Sequence, residues 1–195
     1  MVKNDREYRK AVEIRAADSE EYIVEGYATT FNEPYVMFEW DGVQYSEQVD
    51  RNAFDEADMS DVILQFDHEG RVFARQKNGT LLLSVDDHGL KVRADLSKTE
   101  SSRSLYEDIR AGLISEMSFA FTVREDSYDK DTHIRTINKI KKVYDVSAVS
   151  IPANPSTEIS ARSYFDGVIE AEKAERLRAE ANEAQKRKIL LLCDI

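Results

Sequence analysis

A chain of 195 residues is long enough for one domain with a sizeable core, or for one domain plus an appendage. Its formal net charge of −11 argues against a general nucleic-acid binder, because such proteins bring surplus Lys and Arg to the phosphate backbone. The single cysteine, Cys193, leaves no internal disulfide framework and no cysteine-based zinc site.

The first residues, Met1 to Glu7, lack the apolar core of a signal peptide, and the apolar run Ile189 to Cys193 is far too short to cross a bilayer. The expectation is a soluble, intracellular chain with no membrane partner. Along the sequence, charged and apolar residues alternate up to Gly26, and Tyr22 to Ala28 reads as a strand with a bulge at the glycine. Val36 to Trp40 and Val43 to Tyr45 flank Asp41-Gly42, the strongest short hairpin signal in the chain. Asp50 to Met59 predicts a short helix or turn, and Asp61 to Phe66 is an apolar run of the length of a buried strand.

Three strands, Arg71 to Ala74, Thr80 to Val85 and Leu90 to Leu96, are punctuated by Asn78-Gly79 and His88-Gly89 and predict an antiparallel meander. From Thr99 to Ala111 the period becomes helical, with Leu105, Ile109 and Leu113 on one face, Thr99 or Ser101 as cap and Gly112 as terminator. Residues 117–123 alternate again. Met117, Phe119, Phe121 and Val123 make a core face, and Ser118, Ala120 and Thr122 make a face of small groups. A mobile charged loop is expected over Glu125 to Asp131, then strands over His133 to Ile140 and Lys142 to Ile151. From about Val168 the composition turns to Ala, Glu, Arg and Lys, with a thin seam of Ala174, Leu177, Ala181 and Ala184, which predicts an exposed helix. The expected fold class is α+β, mainly antiparallel β, divided into an N-terminal segment 1–14, a domain 15–165 and a C-terminal helical tail 166–195.

Three residues invite a chemical reading. Ser118 lies where a substrate carbonyl can approach, although a serine on such a face is by default solvent-facing or bonded to a neighbour. His68 ends the buried run and enters a loop, so it can be both anchored and accessible. His88 and His133 read as exposed turn residues. Asp145 interrupts the strand Val143 to Val149, where an unpaired carboxylate is costly. By period two it shares a face with Val143, Ser147 and Val149, and its partner is either a catalytic group or a nearby lysine. A metal site built on Asp67, His68, Asp86 and His88 needs two separate turns to converge.

The ordered set of His68 at a strand end, Ser118 in Met-Ser-Phe-Ala-Phe, and Asp145 in Tyr-Asp-Val-Ser-Ala-Val-Ser-Ile-Pro-Ala-Asn-Pro resembles the prohead maturation proteases of tailed bacteriophages. The likeness runs from about Gly26 to Ser160 and includes Asn52-Ala53-Phe54, Gly89-Leu90 and Ile109 to Gly112. That family shares a fold with the herpesvirus capsid-assembly protease. The resemblance therefore implies an orthogonally packed β-barrel flanked by helices, and a serine endopeptidase with no cofactor and no metal. It casts Ser118 as nucleophile, His68 as general base and Asp145 as the group that orients the imidazole. The expected oxyanion hole is made by backbone N–H groups of Ala153 and Asn154, in a loop that Pro152 and Pro155, which lack a donor, hold in shape. Many relatives carry glutamate where Asp145 stands, often glycine at Ala120 and aspartate at Glu69, so a side chain one methylene shorter must still reach His68. The implied substrates are a scaffold protein or the N-terminal scaffolding segment of the major capsid protein, cleaved inside the procapsid in the bacterial cytoplasm during virion assembly by a phage or prophage enzyme. Homo-oligomerisation is left open. The rival reading is a noncatalytic capsid scaffold or assembly module with the same fold.

Overall fold

The computed structural model describes residues 6–17, 21–150 and 155–193. Two compact units are formed, Met1–Glu158 and Ile159–Ile195. The first is an α+β unit whose mixed, mostly antiparallel sheet curls into a half-barrel. In chain order its strands are β1 (Glu7–Ala16), β2 (Ile23–Thr30), β3 (Tyr35–Trp40), β4 (Val43–Val49), β5 (Ile63–Phe66), β6 (Glu69–Arg75), β7 (Leu81–Val85), β8 (Gly89–Asp95), β9 (Glu116–Asp129) and β10 (Ile134–Val149). Helix α1 (Glu100–Arg110) lies between β8 and β9. Helix α2 (Pro155–Cys193) supplies the second unit.

Local chemistry explains most of these boundaries. Asp41 and Gly42 both take positive φ, +53° and +77°, as a two-residue turn matched to strand twist requires, and β3 and β4 pair on either side of it. Thr99 caps α1 by accepting the Ser102 N–H at 3.1 Å, and the helix stops at Ala111 and Gly112. Its buried residues Leu105, Tyr106 and Ile109 recur at helical spacing. Gly26 has a different role from the expected bulge. The irregularity in β2 falls between Tyr27 and Thr29, and a Cβ on Gly26 would sit 2.5 Å from the Glu13 carbonyl oxygen, so the glycine lets β1 and β2 approach closely.

The strands run in the order β3-β4-β10-β9-β1-β2-β8-β7, and β5 joins β10 beyond β4 and carries β6. Three parts of the sheet depart from expectation. Residues 71–96 do not make one meander: β6 pairs with β5 and β7 with β8, because the 3₁₀ turn Gln76–Asn78 and left-handed Gly79 swing the chain from one part of the sheet to the other. Glu125 to Asp129 is no loop, because β9 continues to Asp129 in a long hairpin with β10. Its charges are matched across the ladder, Asp126 with Arg135 at 2.7 Å and Glu125 with Lys139 at 3.7 Å, and such cross-strand pairs support a polar hairpin. The two strands expected over residues 133–151 form the single strand β10, whose register shifts near Asn138, Lys141 and Tyr144 accommodate the break in pattern.

Within the half-barrel, Met117, Phe119, Phe121 and Val123 point into the core with Leu64, Val146 and Ala148. The rings of Phe119 and Phe121 stack at 4.5 Å. Burying one such ring contributes about 1.5–3 kcal/mol, so this face anchors β9 firmly. Beside it lies a charged cluster. Glu47 accepts hydrogen bonds from Arg9 at 2.8 Å, Arg135 at 2.9 Å and the Tyr35 hydroxyl at 2.6 Å, and Glu7 bonds both guanidiniums. Burial works against the Glu47 carboxylate, but Arg9, Arg135 and Tyr35 outweigh it and hold the carboxyl below its usual range. Burial likewise pushes the Tyr35 phenol well up, reinforced by the Glu47 charge. The Arg9 guanidinium also lies 5.6 Å from the centre of the Phe121 ring, so the cluster and the aromatic stack brace each other behind β9.

Candidate active site

Three adjacent strands each contribute one group. β10 lies between β9 and β5, antiparallel to the first and parallel to the second, with Ser118 of β9 opposite Ser147 and Gln65 of β5 on the other side of Ser147. Asp145 pairs with Ala120, which places its side chain on the Ser118 face. This differs from the period-two expectation. Val143 pairs with Phe121 and faces the core, and the extra residue Tyr144 then reverses the alternation, so Asp145 and Val143 do not share a face. A bulge here re-aims one carboxylate without disturbing the apolar run around it.

His68 arrives from the end of β5. Phe66 pairs with Glu69, which leaves Asp67 and His68 as the two central residues of a tight turn. Both have positive φ, +49° and +60°. Asp and His enter this region more readily than most residues, but each still costs roughly 1–3 kcal/mol, which the surroundings must offset. Asp67 supplies the offsetting contacts. Its N–H donates to the Ala148 carbonyl at 3.0 Å, and its carboxylate accepts the Ser150 N–H at 2.9 Å and the Ser150 hydroxyl at 2.8 Å.

The side chains meet in a line. His68 Nε2 lies 2.6 Å from Ser118 Oγ, and His68 Nδ1 lies 2.5 Å from Asp145 Oδ1. A carboxylate only accepts, which assigns the imidazole N–H to Nδ1 and makes Nε2 the acceptor for the serine hydroxyl. Ser147, fully buried, donates to the same Asp145 oxygen at 2.9 Å. The partner of Asp145 is therefore His68 and a serine, not the neighbouring lysines; Lys142 instead pairs with Asp58 at 2.8 Å. Asp145 spans the gap despite being a methylene shorter than glutamate.

The face of small side chains is closed as well as the core face. Ala120 and Thr122 are as buried as the phenylalanines, and Ser118 keeps 6% of its surface exposed, as does the His68 side chain. In so dry a setting each hydrogen bond in the line is strengthened and any unpaired member is costly. Chemically, a hydroxyl whose proton has a ready acceptor, backed by a carboxylate that favours the imidazolium, is an activated nucleophile.

The other two histidines stand apart. His88 packs edge-on against Tyr27 in its turn, and His133 bonds the Tyr128 hydroxyl at 2.9 Å. Asp67 and His68 do not converge with Asp86 and His88 into a metal site, and the described residues hold no group of three or more His, Cys, Asp or Glu arranged for a metal ion. Ala153 and Asn154 lie outside the described residues. The sequence reading missed Ser147 and Asp67 as partners of the line. Ser147 carried a signal, since it sits two residues from Asp145 on a strand, but Asp67 carried none because its bonds depend on the turn.

A family model for the caudovirus prohead serine protease matches residues 10–168. The chain belongs to the caudovirus prohead serine protease family. That match spans most of the first unit and the start of α2, and includes all three residues of the line. No curated protein and no solved structure matches. Among the described residues, no helix is long and apolar enough to cross a membrane.

Proposed function

We propose that this family member is an active serine endopeptidase in which Ser118 is the nucleophile, His68 the general base and later the acid, and Asp145 the carboxylate that fixes the imidazole. The observation that carries the reading is the placement of His68 within hydrogen-bond distance of both Ser118 Oγ and Asp145 Oδ1. Ser118 Oγ attacks the scissile carbonyl as His68 Nε2 takes its proton. The imidazolium is held by Asp145, and its proton passes to the leaving amine. Water then repeats the sequence on the acyl-enzyme to release the acid product. Backbone N–H groups of Ala153 and Asn154 are the proposed donors to the developing oxyanion, in the segment that begins just after Ser150.

The substrate we assign is a capsid component, the scaffold or an N-terminal scaffolding segment of the major capsid protein, cleaved within the procapsid in the infected bacterium. Membership of a prohead protease family supports this assignment. The protease domain is taken to end near residue 165 and to begin before the expected residue 15, so that it includes β1, which pairs with β9 beside Ser118; it is related in fold to the herpesvirus capsid-assembly protease, with 166–195 as a helical tail engaged in packaging. Co-expression with a cognate major capsid protein tests the reading. The wild type is expected to remove a defined segment, read as a mass loss, and Ser118→Ala to assemble the same particles with the mass unchanged. Equal masses with both forms would instead favour a noncatalytic assembly module.

A further inference from the structure

We infer that Asp67 is a positioning residue that sets the place of the His68 imidazole by tying its turn to the strand bearing Asp145. This rests on the proposed role of His68 as base. The turn Phe66 to Glu69 has two consecutive left-handed residues and no glycine, so its own conformational preferences do not hold it in place. Asp67 makes three hydrogen bonds to the end of β10: its N–H to Ala148, and its two carboxylate oxygens to the N–H and hydroxyl of Ser150. These partners lie three and five residues beyond Asp145 on one continuous stretch of chain. The imidazole is therefore referenced to the same strand at two points, through Asp67 at its backbone and through Asp145 at Nδ1.

The arrangement also divides the labour between neighbours. Asp67 touches neither the serine nor the imidazole in these contacts, and acts by fixing the backbone from which the imidazole projects. Ser150, whose N–H and hydroxyl it holds, is the last residue before the segment proposed to supply the oxyanion donors. A loosened clamp should therefore damage transition-state geometry and leave ground-state binding nearly intact. Misplacement by about 1 Å is enough to cost roughly a hundredfold in rate.

The test follows a low-field imidazole N–H proton resonance in the wild-type protein, assigned by its loss in His68→Ala, together with cleavage of the capsid protein. Asp67→Ala is expected to keep a native circular dichroism spectrum, to lose or broaden that resonance, and to lower kcat by about ten- to a hundredfold with KM within about threefold. In the His68→Ala background it should cost no further activity, since the two act as one unit. Ser150→Ala, which removes one of the two carboxylate bonds, should give an intermediate change and serves if Asp67→Ala does not fold. The inference is overturned if the wild type shows no His68-dependent resonance, or if that resonance is unchanged in both variants. A resonance that responds to Asp67→Ala in a wild-type protein that cleaves nothing would uphold the positioning role and sink the proposed proteolysis.

Discussion

Replacing Asp145 by asparagine tests the contribution of its charge. The side chain is almost fully buried, and its Oδ1 receives both the His68 Nδ1–H at 2.5 Å and the Ser147 hydroxyl at 2.9 Å. Asparagine has the same shape, so the packing is preserved, although its NH2 group can also donate to Nδ1 and select the other imidazole tautomer, which lowers activity in the same direction. What disappears is the negative charge that faces the imidazolium in the proposed attack by Ser118. With an effective dielectric near 20, unit charges about 4 Å apart interact by about 4 kcal/mol. That corresponds to about a thousandfold in rate. Asp145→Asn is therefore expected to lower kcat by about a thousandfold while KM changes little, because the substrate does not touch this carboxylate. The assay is steady-state cleavage of a capsid-protein fragment, with near-ultraviolet circular dichroism confirming the native core. A native variant that retained kcat within about tenfold of wild type would refute the claim that the carboxylate stabilises the imidazolium.

The charged cluster behind β9 should respond differently from surface pairs. Arg9→Met leaves Glu47 without its bidentate partner in a fully buried place and is expected to cost about 3–5 kcal/mol in urea unfolding. Arg51→Ala, which breaks the exposed pair with Asp87, should cost under about 1 kcal/mol, and similar losses for the two would contradict the burial argument. Asp95 supplies a pH test. Hydrogen bonds from Ser97 and Lys98 hold its carboxyl down at about 2. The folded value lies below the unfolded value of about 3.9, so this contribution is complete above about pH 4 and is lost as pH falls toward about 2. The stability difference between wild type and Asp95→Asn should shrink across that window, and a constant difference would exclude the assignment.

Legibility in the sequence followed the range of the interactions involved. Asp41-Gly42, the Thr99 cap and the alternation at Met117 to Val123 were readable because each is decided within a few residues by backbone conformation, capping or pleat. Ser118, His68 and Asp145 were readable as a set through their surrounding blocks, and the three side chains do meet. The misread parts depend on partners distant in sequence. Glu125 to Asp129 looked like a loop because its charges are satisfied from β10, which no local pattern reveals. The face of Asp145 was misjudged because one extra residue at Tyr144 reverses a period-two count. The turn at Asp67 and His68 carried no glycine to announce two positive φ values; it is held by Ala148 and Ser150, about eighty residues onward.

Strand β1 has a consequence for timing. It precedes every other described element in the chain, yet it sits in the middle of the sheet, where Glu7 pairs with Phe121 and Lys10 with Ser118. Its second edge therefore waits through more than a hundred residues of synthesis for β9, and β9 in turn needs β10 to hold Asp145 and the His68 turn in place. Pairings so distant are slow to form and give little stability until most of the sheet closes at once. A nascent or truncated chain ending before β10 has a histidine and a serine but nothing that brings them together. The proposed catalytic line can exist only in a molecule whose β-sheet has been completed, so proteolytic competence would appear late and abruptly in the life of each chain.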